Sequence, residues 1–229
     1  MMKYEFILLD ADDTLFDFSK GEAVAFHETL KEYGITPLPG MVERYSAIND
    51  ACWKRLERGE LTKKELIVVR FALFLEQYRL QGDPQRINEL YIQHLSRQAI
   101  LIPGALEFVK NLYGKAKLYI ITNGTTVVQQ SRFARTELTE YIEKIFISEQ
   151  MGTKKPDILF FEKTADAIEG FTKQKAVVIG DSLSSDMKGA ENYGLDRVWF
   201  NPRKLENDSG ILINCIASCY EEIEQFLEG

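Results

Sequence analysis

The run FILLDADDTLFDF, Phe6 to Phe18, ends four apolar residues in Asp10 and follows them with Asp12, Asp13 and Asp17. Carboxylates this close repel one another, so the chain must leave them in solvent or bring positive charge to them. Three further groups of chemically capable residues follow: Thr122-Asn123-Gly124, Lys154-Lys155-Pro156-Asp157, and Gly180-Asp181 with Asp186. Carboxylates that converge need a cation. These donors are hard oxygens with no histidine or cysteine among them, so magnesium suits the set. A lysine adds one more positive charge, and a threonine hydroxyl with backbone N–H groups donates hydrogen bonds. Such parts fit a tetrahedral anion, a phosphoryl group. One carboxylate can attack phosphorus to give an aspartyl-phosphate. A second, two residues along an extended chain, lies on the same side. It can protonate the leaving oxygen and then deprotonate the attacking water.

The elements that must position these groups are readable from periodicity. EFILLD reads as a short buried strand. Ala23, Phe26, Leu30 and Tyr33 then recur at helical spacing, with Gly34 as the stop, and Met41, Tyr45, Ile48, Cys52 and Leu56 trace a second helix. Thr62 and Glu65 form a capping box for a third; Asp83-Pro84 opens a fourth. No strand signal appears from Lys20 to Arg97, so this block is all-helical. After Pro103-Gly104 the pattern alternates: helix 105–113, strand 117–122, a polar helix over about 125–140, strand 144–148, a helix from Pro156 through Ile168, strand 175–180, helix 184–193 and strand 197–200. ILIN, 211–214, is expected as a short edge strand, and Ser218 with Glu221 as a capping box for the last helix. Strands alternating with helices imply an α/β fold with a doubly wound, Rossmann-like parallel sheet, interrupted after its first strand by the helical block. Ligands in such sheets bind beyond the carboxyl ends of the strands, and all four groups sit there. The acids at the first strand's end therefore read as a site rather than as a solvated loop.

In this order and placement, Asp10-Ala-Asp12-Asp-Thr14, Thr122-Asn123, Lys155-Pro156-Asp157 and Gly180-Asp181-Ser-Leu-Ser-Ser-Asp186 resemble the four motifs of the haloacid dehalogenase-like hydrolases, and the resemblance covers the whole chain. The helical block is similar to the cap of the subfamily whose cap lies between the first two motifs, implying a catalytic core of residues 1–15 and 97–229 and a cap of residues 16–96. The resemblance implies Asp10 as nucleophile and Asp12 as general acid/base. Thr122, with the backbone of Asn123, would hold the phosphoryl oxygens, and Lys155 would neutralise nucleophile and phosphate. Asp181 would bind magnesium with Asp10 and the Asp12 carbonyl, and Asp186 would lie beside it, ligating directly or through water. The family usually has glycine where Asp13 stands; aspartate accepts unusual backbone angles better than most residues. The string DADDTLFDF looks like a branch that includes bacterial 5′-nucleotidases acting on pyrimidine and non-standard nucleoside monophosphates. Phe16 and Phe18, just after the nucleophile, are the expected pocket-lining residues.

Each group also has a plainer reading. Thr122-Asn123-Gly124 could be a turn, Lys154 a solvated lysine, and Asp186 an acid favoured by a helix N-terminus. Asp13 and Asp17 are expected as structural or surface acids. Tyr45, Trp53, Phe71 and Phe74 at helical spacing read as core, and His27 and His94 as packed or surface residues. Among whole-chain alternatives, a 2-haloacid dehalogenase needs neither Asp12 nor the acids at 181 and 186. A phosphomutase would need a second phosphate clamp, and a non-catalytic binding module would not need the full set of reactive groups. The 229 residues suffice for a sizeable core, and with 45% hydrophobic and 28% charged residues the composition is that of an ordinary globular chain. A net charge of −7 argues against a broad surface for nucleic-acid polymers, leaving a small phosphorylated metabolite as the expected partner. Cys52, Cys215 and Cys219 form no tight pair, as expected of reduced thiols. MMKYEFILLD is too short an apolar run for a signal peptide, and LIVVRFALFL is too short to span a bilayer. The expectation is a cytoplasmic protein with no membrane partner; the oligomeric state stays open.

Overall fold

The computed structural model describes residues 2–229. In chain order the elements are β1 (Phe6–Leu9), α1 (Phe18–Tyr33), α2 (Met41–Glu57), α3 (Lys63–Gln77), α4 (Pro84–Leu95), α5 (Ala105–Leu112), β2 (Lys117–Thr122), α6 (Thr126–Phe133), β3 (Lys144–Ile147), α7 (Ser148–Met151), α8 (Ile158–Asp166), β4 (Ala176–Gly180), α9 (Lys188–Tyr193), β5 (Asp196–Phe200), β6 (Cys215–Ala217) and α10 (Tyr220–Glu228). They fall into two compact units. One comprises residues up to Asp17 with Leu101–Gly229; the other is Phe18–Ile100. No described helix is long and apolar enough to cross a membrane.

The first unit is built on a six-stranded sheet in the order β3-β2-β1-β4-β5-β6, every pairing parallel. Aliphatic and aromatic side chains make these strands, and β1 and β4 are buried at every position, as a sheet covered on both faces requires. Phe6 and Leu8 share a core cluster with Ile121, Val178, Phe160, Phe161 and Trp199. The register pairs Leu9 with Ile120 on one side and with Ile179 on the other. The ends of β1, β2 and β4 therefore lie side by side. Asp10 continues the ladder, its N–H donating to the Ile179 carbonyl at 2.9 Å.

The second unit is four helices. The expected capping box is present: Glu65 N–H donates to Thr62 Oγ1, and Thr62 N–H donates to the Glu65 carboxylate at 2.7 Å. Asp83 caps α4 through the Gln85 N–H, with Pro84 at its first position. Gly34, at φ +90°, follows α1. The core is aromatic: Tyr45 stacks on Phe26 with ring centroids 4.0 Å apart and on Phe71 at 5.1 Å, with Phe74 edge-on to Phe26. Tyr45, Phe71 and Phe74 are buried, and Trp53 is half-buried.

Several boundaries depart from expectation. The polar helix expected over 125–140 ends at Phe133, where the Thr136 hydroxyl donates to the Phe133 carbonyl at 3.0 Å and a 3₁₀ turn at Glu137–Glu140 buries Leu138. The helix expected from Pro156 starts at Ile158. The helix expected from 184 opens as a π-helical turn, Leu183–Met187, before α9. ILIN is not a strand. Asn207 and Ser209 tie that segment into local turns, and β6 forms instead at Cys215–Ala217, where Val198, Trp199 and Phe200 of β5 supply partners. The last capping interaction uses Glu222 rather than Glu221, its carboxylate accepting from Ser218 N–H at 2.6 Å.

Candidate active site

Four strand-end loops of the sheet unit converge. Lys155 is buried to 1% exposure, and its ammonium donates three hydrogen bonds: to Asp10 Oδ1 at 2.6 Å, to Asp186 Oδ1 at 2.6 Å and to the Ile121 carbonyl at 2.8 Å. Its position depends on Asn123. That side chain donates to the Lys155 carbonyl at 2.9 Å and accepts from the Lys155 N–H at 3.0 Å. The side chain thus braces the lysine loop, and the backbone is what remains for the phosphoryl role that the resemblance implied. Thr122, buried at the end of β2, accepts the Gly124 N–H at 3.0 Å.

Asp186 reaches the cluster through the π turn, a feature common at functional sites. Its second oxygen accepts from the Ser182 N–H at 3.1 Å. Gly180 makes room for it: a Cβ at Gly180 would come within 2.4 Å of the Asp186 carboxyl. Asp181 keeps some exposed surface, and its carbonyl accepts from Trp199 Nε1 at 2.7 Å. Ligand oxygens of Asp10, Asp181 and Asp186 lie within 4.8 Å of one another. The electrostatics follow. Burial pushes the Asp10 carboxyl up to about 8, Lys155 opposes that shift, and Asp186 and Asp12 add to it. Burial, then the neighbouring Asp10 and Asp186, raises Asp181 well above the carboxylate range. Burial works against the Lys155 charge, but Asp10 and Asp186 overcome it and hold the ammonium above the ordinary lysine value.

Three acids share one ammonium, so negative charge is costly to hold there, as the raised Asp10 and Asp181 express, and every available donor is a hard oxygen. That set fits a magnesium ion held by Asp10, Asp181 and Asp186; the Asp12 carbonyl is the further ligand implied by the motif.

Asp12 sits apart from the lysine. Its two oxygens accept from Gln129 Nε2 at 2.6 Å and from Arg132 Nη1. Sequence reasoning missed both α6 residues; the available signal was their three-residue spacing on a helix that begins beside Thr122. It also missed Trp199. Asp13 adopts φ +56°, the left-handed conformation that aspartate tolerates, with its N–H donating to the Phe16 carbonyl at 2.8 Å. Phe16, expected to line a pocket, has no exposed surface: its ring lies under the Arg132 guanidinium at 4.2 Å and edge-on to Phe133 at 5.0 Å. Phe18 is half-buried and opens α1 in the helical unit.

With this geometry in hand, the chain can be set beside known proteins. Residues 7–200 match the model of the haloacid dehalogenase-like hydrolase family. The pyrimidine 5′-nucleotidase PynA of Streptococcus pneumoniae is 39% identical over 207 residues, covering 90% of this chain and 87% of the relative. The pyrimidine 5′-nucleotidase YjjG of Escherichia coli is 31% identical over 226 residues, 99% of each chain. The magnesium-bound crystal structure of the HAD-hydrolase YfnB from Bacillus subtilis superposes with a TM-score of 0.95 at 32% identity, covering 99% of this chain and 100% of that one. Lysine-bridged acids at adjoining strand ends, a family model spanning most of the sequence and relatives similar over nearly its whole length lead to one conclusion: this chain belongs to the haloacid dehalogenase-like hydrolases.

Proposed function

We propose that the protein is a magnesium-dependent phosphomonoesterase for small phosphorylated metabolites, working through an aspartyl-phosphate on Asp10, with pyrimidine nucleoside 5′-monophosphates as its preferred substrates. The observation that carries the reading is the buried Lys155 ammonium shared by Asp10 and Asp186, with Asp181 in the same cluster. Magnesium bound to those acids would supply the charge that lets a phosphate dianion join them. In the first step a carboxylate oxygen of Asp10 bonds to phosphorus as the ester P–O bond breaks, and Asp12 gives its proton to the departing oxygen. In the second, water attacks phosphorus, Asp12 takes a water proton, and the Asp10–phosphorus bond breaks to release phosphate. Lys155 holds the nucleophile in place and offsets the negative charge gathered there, and Thr122 and the Asn123 backbone are read as donors to the phosphoryl oxygens. The helical unit is read as the subfamily's cap. The nucleotide preference rests on the likeness to PynA and YjjG, both pyrimidine 5′-nucleotidases by name, and on the DADDTLFDF string.

The test is kcat/KM with and without magnesium for pyrimidine and purine 5′-monophosphates, sugar phosphates and a phosphopeptide. Pyrimidine nucleotides should lead, and chelator should remove the activity. A sugar phosphate at the head of the series would overturn the nucleotidase assignment alone. Full activity in excess chelator would overturn the magnesium reading, and no phosphate release from any ester would overturn the whole.

A further inference from the structure

We infer that Gln129 and Arg132 are positioning residues for Asp12, together fixing its carboxylate in the orientation from which it exchanges a proton with the departing ester oxygen and the attacking water. The inference rests on the phosphomonoesterase reading above. Asp10 and Asp186 are held by Lys155, whereas Asp12 is held by a separate pair of donors from α6, one to each oxygen. Gln129 and Arg132 are three residues apart and so project from the same helix face. Both are buried to 1% exposure, while the Asp12 side chain keeps 27%. Only the aspartate is open to a reacting group, so the α6 pair acts through it.

Three further features say that this arrangement is built rather than incidental. The Arg132 guanidinium lies over the Phe16 ring at 4.2 Å, and Phe16 is itself buried and braced by Phe133, which fixes the plane of the donor. The loop after β2 leaves a gap for Gln129: a Cβ on Gly124 would meet Gln129 Nε2 at 2.2 Å and its Cγ at 2.8 Å. Gly124 carries no positive φ, so the close approach of Gln129, rather than backbone conformation, is what demands a glycine there. Finally, a carboxylate has about four lone-pair sites. One donor per oxygen leaves each oxygen a site that can carry the proton without loss of the clamp.

The proton traffic depends on this orientation in both halves of the reaction. When the P–O bond breaks, the Asp12 proton goes to the leaving oxygen, which departs as an alcohol. When water bonds to phosphorus, its proton returns to Asp12. A loosened Asp12 therefore matters most where the leaving group most needs a proton.

The experiment compares kcat/KM for nitrophenyl phosphate, whose leaving group needs little protonation, with that for phenyl phosphate, whose leaving group needs more. The variants are Gln129→Leu, which removes the donor, and Gly124→Ala, which displaces it without removing it. Each should lose about tenfold more on phenyl than on nitrophenyl phosphate, a fraction of the ~10²–10⁴ that acid–base catalysis contributes. Inhibition by inorganic phosphate should stay at the wild-type level. In an Asp12→Asn background the same substitutions should change the ratio of the two esters no further, because the residue they act through is gone. Equal losses on both esters, no change in the ratio, or a change that persists in the Asp12→Asn background would each overturn the inference while leaving the phosphomonoesterase reading in place. A wild-type protein that releases phosphate from neither ester nor from any pyrimidine 5′-monophosphate would instead overturn that reading, and the inference with it. Should Gln129→Leu fail to fold, Gly124→Ala carries the same readout.

Discussion

In the helical unit, Glu22 of α1, Asn49 of α2, Arg70 of α3 and Asn88 of α4 meet as a buried layer, one residue from each helix. Asn49 Nδ2 donates to Glu22 at 2.7 Å, and Arg70 donates to Asn49 at 3.0 Å and to Asn88 at 2.6 Å. In the sheet unit, Asp10, Asp181 and Asp186 gather around Lys155. Both clusters take charge out of water, which is costly unless the charges are matched. The helical layer matches one acid with one base through an asparagine relay. The sheet cluster has three acids to one base. That imbalance is what the proposed function answers with a bound cation.

Four substitutions or additions would break or sharpen this contrast. The largest effect is expected from Asp10→Asn. Turnover should fall to background, because an amide cannot form the acyl phosphate, while the protein stays folded, since an acid is being removed from an overcrowded cluster. Substantial magnesium-dependent turnover in a folded variant would remove Asp10 as the nucleophile. Arg70→Met does the opposite, taking the only base from the helical layer and leaving Glu22 buried without it. Stripping a buried charge of its partner typically costs about 3–5 kcal/mol, so urea unfolding should report a loss of that order; a change below about 1 kcal/mol, the net worth of one ordinary hydrogen bond, would show that the layer does not depend on charge balance. Next comes magnesium itself. At a concentration of 100 times its dissociation constant it should stabilise the wild-type protein by about 2.7 kcal/mol, read as a rise in Tm. The rise should shrink in Asp181→Asn; an equal rise in both proteins would place the ion elsewhere. The smallest effect is local: Thr62→Ala removes the α3 cap and should cost about 1 kcal/mol, with activity retained. No loss of stability would mean that the capping box at Thr62 and Glu65 contributes nothing to α3.

Much of this was legible in the sequence because it is carried by local pattern. Strand 117–122 is an apolar run closed by Thr122-Asn123-Gly124, and its bounds agree with those of β2. The parallel sheet follows from alternation, and with it the meeting of Asp10, Lys155, Asp181 and Asp186 at neighbouring strand ends. What stayed hidden depends on tertiary partners. Trp199 reads as a strand residue, and nothing nearby announces that its indole fixes the Asp181 carbonyl. Gln129 and Arg132 sit on a helix whose polarity reads as solvated, yet both are buried because Asp12 waits for them. Phe16 looked like a pocket wall because of its closeness to Asp10 in sequence, but the left-handed turn at Asp13 sends it under Arg132. ILIN was apolar enough for a strand, yet Asn207 and Ser209 take the Ile211 backbone, the Leu212 carbonyl accepts from the Arg197 side chain, and Leu212 is left 80% exposed.

The central position of β1 has a consequence for how the chain folds. Phe6 finds its partners at Lys117 on one side and Ala176 on the other, so the innermost strand of the sheet must wait for segments far along the polypeptide. Contacts of such long range are slow to form, because loop closure precedes any gain from pairing. Four of the five helices between β1 and β2, α1 to α4, interact mainly within their own segment and can assemble rapidly. Once they do, they shorten the effective tether between β1 and β2, turning an insertion that would otherwise hinder closure of the sheet into one that hastens it. The acidic cluster around Lys155, which needs loops from β1, β2, β4 and the Lys155 segment together, would then be among the last features of the molecule to come into being.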